Sequence, residues 1–222
     1  MTIQEAYVRY IDLVNRNATN NNLSVDLARF VLNFNSSTIR YVERILNKRN
    51  EDEIRYISML LNAEYPLTYV STESNFQAYA LPTDFFNLSN VHVYATKGGC
   101  QQKRLQTFEA KTENIEELVF DESSKPSFDY RETFYTLSKK EVLVYKTDFD
   151  ITSVSLTYYR YPKKVDIKGY TDINGKQSKD VHPEFDDKVV LSILNAMATE
   201  FSASNGDVSQ YQIGKDKYIS NI

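Results

Sequence analysis

The chain has 222 residues, 26 Lys+Arg against 30 Asp+Glu, and a formal charge of −4. Its apolar content of 41% and charged content of 25% argue against a disordered or membrane-embedded chain, and a pI of about 5.4 argues against a basic protein that grips many phosphates. One Cys and two His beside 17 Tyr and 12 Phe exclude a disulfide framework or cysteine-rich zinc site and leave little room for a His-based metal site or triad.

The N-terminal segment MTIQEAYVRYIDLVNRN carries Glu5, Arg9, Asp12 and Arg16, so no uninterrupted apolar core of a signal peptide is present, and we expect a chain made in a reducing cytoplasm. Thr2 and Glu5 fit a capping box. Behind it Ile3, Tyr7, Tyr10, Ile11 and Val14 make one apolar stripe. The Asn-rich run from Asn15 to Asn22 closes that helix. Ser24 opens a second helix with Val25, Leu27, Phe30, Val31 and Phe34, which Asn33 and Asn35-Ser36-Ser37 should break. A third stripe is Ile39, Val42, Ile45 and Leu46. Asn50 and Glu53 form a second capping-box pattern before Ile54, Ile57, Leu60 and Leu61.

Near Tyr65 the period drops to two. Leu67–Val70, Phe76–Tyr79, Asn90–Thr96, Lys103–Phe108, Glu132–Leu137, Val142–Tyr145 and Ile151–Tyr161 read as strands, with a turn at Lys97-Gly98-Gly99. Thr112–Glu122 reads as a short helix capped by Thr112. In the last strand Val154, Leu156 and Tyr158 face one way, Thr157, Tyr159 and Tyr161 the other. After a polar loop, Pro183 sits where a first helical turn tolerates proline, ahead of the apolar face Val189, Val190, Ile193, Leu194, Met197 and Phe201. The expected fold class is α+β: an N-terminal helical bundle (1–63) completed by a C-terminal helix (183–205), with an inserted antiparallel β domain (64–162). A polar loop (163–182) and a C-terminal arm (206–222) complete the chain.

Few motifs carry chemistry. Asp172, Asn174 and Gly175 resemble part of a calcium loop, but Tyr170 and Val181 stand where its end ligands belong. Gly175-Lys176 lacks the flanking residues of a phosphate loop. Asp84 with Glu109-Ala110-Lys111 matches a metal nuclease pattern, in which two carboxylates hold magnesium and a lysine steadies the attacking water; surface charge on a hairpin explains the same residues. Cys100, His92 and His182 read as structural. Asp148 and Asp150 could hold a cation or simply line a turn. We therefore expect no enzyme, no cofactor and no metal. The tyrosines suit protein contact surfaces, Tyr159 and Tyr161 above all, because they lie opposite Val154 and Leu156.

Leu81-Pro82-Thr83-Asp84-Phe85-Phe86 leads from a helical N-terminus into strands. Tyr158-Tyr159-Arg160-Tyr161-Pro162, a polar loop, Pro183-Glu184-Phe185 and the helix Asp187–Ala203 close the chain. This layout resembles the head-to-tail adaptor proteins of short-tailed phages (tail tubular protein A, or gatekeeper), and in style and size the ring proteins of crAss-like phages. The resemblance implies a non-enzymatic virion protein at the head–tail junction: a subunit of a dodecameric ring that docks below the portal protein, contacts further tail proteins, and lets double-stranded DNA pass without specific binding. By the same analogy Tyr211, Ile213, Tyr218 and Ile219 of the arm would dock on the portal. The alternatives are the metal nuclease of Asp84, Glu109 and Lys111, and a generic intracellular protein-binding module.

Overall fold

A computed structural model describes residues 1–15, 24–48, 51–171 and 175–204. The chain is a mixed α+β protein that divides into two compact units, one of Met1–Met59 with Pro162–Ile222, the other of Leu60–Tyr161.

In the first unit, α1 runs Ile3–Asn15, α2 Leu27–Lys48, α3 Glu51–Ile54 and α5 Asp187–Ser204. The capping box at the start of α1 is reciprocal. The Glu5 amide donates to Thr2 Oγ1 at 3.2 Å, and the Thr2 amide to Glu5 Oε2 at 2.9 Å. Ile3, Ala6, Tyr10 and Val14 are buried. The Phe30 ring meets Tyr7, Tyr10 and Phe34. From the C-terminal segment Val189, Val190, Ile193, Leu194 and Met197 are buried, and α5 packs on α1 and α2.

Three expectations are corrected here. First, α2 is one helix across Asn33 and Asn35-Ser36-Ser37. Ser36 and Thr38 return their hydroxyls to the carbonyls of Leu32 and Phe34, and Asn35 spends its amide elsewhere: Nδ2 donates to Val165 O at 3.0 Å while Oδ1 accepts from Val165 N at 2.8 Å. Polar groups satisfied in this way no longer compete with the helix. Second, Asp26 rather than Ser24 caps α2, its Oδ2 accepting from the amides of Ala28 and Arg29. Third, the C-terminal helix begins at Asp187, not at Pro183. Phe185 is buried and Glu184 Oε1 accepts from the Lys163 amide, so residues 183–186 anchor the preceding loop.

In the second unit β1 is Leu61–Pro66, β2 Thr68–Thr72, β3 Phe76–Ala80, β4 Phe85–Thr96, β5 Lys103–Glu109, β6 Glu132–Ser138, β7 Glu141–Tyr145 and β8 Asp150–Arg160; α4 is Ile115–Phe120. They form one eight-stranded sheet in the order β1-β8-β4-β5-β6-β7-β3-β2. Strands β1 and β2 lie at opposite ends of that order although only Leu67 separates them in the chain, so the sheet curls and brings its two ends together at Leu67. Val91, Val93, Leu105, Val142, Val144, Val154, Leu156 and Tyr158 belong to its core.

The expectation of a wholly antiparallel β region is corrected: β5 and β6 pair in parallel, from Gln106↔Glu132 to Glu109↔Tyr135. A parallel pair needs a crossover rather than a tight turn, and residues 110–131 supply it. Ile115, Leu118 and Val119 of this crossover pack against Ala110, Phe134 and Tyr145. Alternation then puts Phe134 beneath the crossover and Tyr135 in the main core, so Thr133 to Thr136 are all buried. Thr112 makes no cap for this helical turn; the residue before it is Lys111, with no side-chain cap bond. Residues Leu60 and Leu61, placed by their spacing on a helical stripe, instead end a 3-10 turn and begin β1.

Candidate functional site

The curled sheet sets the positions of the residues picked out by sequence. Asp84 stands just before β4. Its Oδ1 accepts from the Tyr158 hydroxyl at 2.9 Å, and its carbonyl from the Tyr161 amide at 2.8 Å. Asn62 Nδ2 donates to the same tyrosine oxygen at 3.0 Å. Burial raises the Tyr158 hydroxyl above its ordinary range, so it stays protonated and can donate to the carboxylate. The group ties β1, β8 and the start of β4 together. Glu109 ends β5 beside Tyr135, and Lys111 follows it. Among the described residues no hydrogen bond or ion pair joins Asp84 to either of them, and no cluster of three His, Cys, Asp or Glu could hold a metal ion.

Tyr159 and Tyr161 part company. Tyr161 is 48% exposed, its ring edge-on to Phe86 at 4.6 Å. Tyr159 is 9% exposed, and burial raises its hydroxyl pKa. The expectation that Tyr159 lies on an open face is therefore corrected: the fold already covers it. The uncovered rings lie elsewhere, at Tyr65 and Tyr69 on the strands either side of Leu67, beside exposed Leu61 and Val70. Tyr65 meets Tyr158 edge-on at 5.9 Å, and Tyr69 meets Tyr79 edge-on at 6.1 Å. Neither face of this stretch is covered, as the continuous run of exposed residues in β2 shows. The β-branched and aromatic composition of 67–72 was the sequence signal for it, read there only as strand propensity.

A polar cluster that no sequence motif marks lies between β4, β5 and β8. His92 is 7% exposed. Its Nδ1 contacts an Arg104 guanidinium nitrogen, which can only donate, so Nδ1 is the acceptor and Nε2–H donates to Thr157 Oγ1 at 3.1 Å. Thr157 Oγ1 also accepts from the Glu64 amide at 3.2 Å, and Glu64 holds a left-handed φ of 49° where β1 slips register against β8. Burial first, then the Arg104 charge, pushes the His92 pKa down, with Glu64 opposing. The imidazole is thus kept neutral and fixed in one tautomer.

Asp148 pairs with Lys97 at 2.7 Å and Asp129 joins the same ammonium at 3.2 Å, so the Asp148–Asp150 pair is not a bare acidic site. Cys100 is an exposed free thiol. His182 Nδ1 accepts from the Ile3 amide at 3.3 Å. Asp172 and Asn174 of the calcium-like stretch, Asn50 of the second capping box, and the arm residues Tyr211, Ile213, Tyr218 and Ile219 lie outside the described residues. No helix among the described residues is long and apolar enough to cross a membrane. No protein-family model matches this chain, and no curated protein matches it either.

Proposed function

We propose that this chain is a non-enzymatic subunit of a virion connector: a dodecameric ring that docks below the portal and continues the DNA channel into the tail. The observation that carries the reading is the two-unit layout, in which the chain leaves the helical unit at Met59 and returns to it at Pro162. We read this as an N-terminal helical bundle completed by α5, with the β unit inserted, which is the arrangement the adaptor resemblance implies. The Asn35–Val165 bonds and the bidentate Arg40–Glu200 pair at 2.8 and 2.9 Å support it, since each links an N-terminal helix to the returning segment.

A closed ring needs two different complementary surfaces on each subunit. Tyr161 with Phe86 supplies one exposed aromatic patch, and Leu61 with Tyr65 on β1 another. On this reading Tyr211, Ile213, Tyr218 and Ile219 dock on the portal. A charge of −4 on each copy keeps the channel from gripping DNA, which passage requires.

Negative-stain imaging of the purified chain, alone and mixed with the portal, tests the proposal. Rings with twelve-fold symmetry are expected with portal, and deletion of residues 207–222 should weaken docking. A monomer in both samples overturns it. Magnesium-dependent DNA cleavage that is lost in Glu109→Ala and Lys111→Ala would favour the nuclease instead.

A further inference from the structure

The extended segment 61–72 changes strand partner at Leu67, which separates β1 from β2. Its first half, β1, pairs with β8 as far as Pro66↔Ser155, and the Leu67 amide makes one more bond, to Val154 O at 3.0 Å. Continued, that ladder would set β2 against Asp150–Ser153 of β8. Instead β2 turns away and pairs with β3, from Thr68↔Ala80 to Thr72↔Gln77. Among the described residues no backbone hydrogen bond joins β2 to β8. The place where the curled sheet fails to close is an open groove of about 510 Å³, lined by Pro66, Leu67, Tyr69, Tyr79, Ile151 and Val154 among others.

Both rims of this groove are strand edges. On one side, β8 is paired with β4 over Asp150–Ser153, and its opposite edge faces the groove. On the other, β2 is paired with β3 and its opposite edge faces the same space. Backbone amides and carbonyls along such edges call for partners. A ligand that meets both rims must itself carry alternating donors and acceptors at strand spacing, which is the chemistry of an extended peptide. The side-chain lining sets its charge. Thr72, Gln77, Thr152 and Ser153 also line the groove, and its ionised residues among those described, Lys146 and Asp150, are opposite in sign, so the wall carries no net charge to attract a charged segment.

We infer that this groove is a strand-acceptor site for an extended, uncharged segment of a partner protein, which adds between β8 and β2 and closes the sheet. The rims run antiparallel to each other, because β2 continues β1 and β1 is antiparallel to β8. The added strand therefore runs parallel to one rim and antiparallel to the other. Four residues of rim, Asp150–Ser153, span about 13 Å, so about four residues of an added strand pair within the site and a hexapeptide covers it with one residue to spare at each end. Main-chain bonds give such a contact its affinity and the Tyr69, Tyr79 and Ile151 walls its selectivity.

The test uses the full chain and three capped hexapeptides: one of alternating Val and Thr, the same peptide with alternate backbone amides methylated, and one of alternating Lys and Thr. Amide hydrogen exchange is read at Asp150–Ser153 and Tyr69–Thr72. The Val/Thr peptide should slow exchange at both edges by at least about tenfold, and the methylated and Lys peptides should not. Tyr69→Ala, at a residue 53% exposed and so safe for the fold, should weaken the effect by about threefold or more. Three results overturn the inference: no protection at millimolar peptide, equal protection by the methylated or Lys peptide, or concentration-dependent protection of both edges without peptide, which would mean that a second copy occupies the groove.

Discussion

At the residue scale, His92 is the group whose chemistry the fold alters most usefully for measurement. Its folded pKa lies below the ordinary value of 6.5, through burial and the adjacent Arg104, whereas in the unfolded chain it titrates near that value. Between the two pKa values the unfolded state binds more protons, so stability rises with pH across that window and falls on acidification below about 6.5. His92→Gln keeps an N–H for Thr157 and cannot take up a proton. Its thermal midpoint should fall less than that of the unaltered chain between about pH 7.5 and pH 5.5; equal losses would show that another group governs acid sensitivity. Phe134 is the counterpart in the apolar layer, fully buried and stacked on Tyr145 at 4.6 Å. Phe134→Ala should cost about 3–5 kcal/mol in denaturant unfolding, from lost transfer energy and the cavity left behind. Neither environment could be read from sequence, because each sits in an alternating run whose second face is covered only by tertiary packing: His92 by Thr157 of β8, Phe134 by the crossover of residues 110–131 and Tyr145.

At the scale of elements, local patterns translated well where the element is held by its neighbours in sequence. The Thr2–Glu5 box, the stripe of α1, the hairpin of β4 and β5 and the pairing of β6 with β7 all follow from short-range signals. Two of the misreadings share one cause, a distant partner. Asn35 looked like a breaker because its amide had no visible use; Val165 gives it one, 130 residues away. Leu61 looked helical because β8, its partner at Tyr159, is equally remote. Two substitutions probe this level. Asn35→Ala leaves α2 with a better helix former but strips two hydrogen bonds from Val165, so unfolding should lose about 1–2 kcal/mol and exchange at the Val165 amide should quicken. Asp26→Ala removes the α2 cap and should cost about 1 kcal/mol, read as a lower unfolding midpoint; a gain in stability in either variant would contradict these assignments.

At the scale of the whole molecule, the chain's two ends share a unit and a long middle segment forms the other. The Arg40–Glu200 pair spans 160 residues of sequence, yet both side chains are about half exposed. A double-mutant cycle with Arg40→Ala and Glu200→Ala should therefore return a coupling of only about 0.5 kcal/mol, lower in high salt. The burial of Ile193, Leu194 and Met197, not this ion pair, holds the C-terminal segment in its unit. Composition, periodicity and capping by themselves determined an α+β chain, helical at both ends with strands between, poor in catalytic residue types and rich in tyrosine, because these properties are local or additive along the chain. Only the tertiary structure decided that β5 and β6 run parallel, that Tyr159 is covered while Tyr65 and Tyr69 are not, and that the sheet curls without closing at Leu67. Each of these depends on which distant strand comes to lie beside a given one, and strand pairing is a contact between segments whose own sequences carry no mark of the partner.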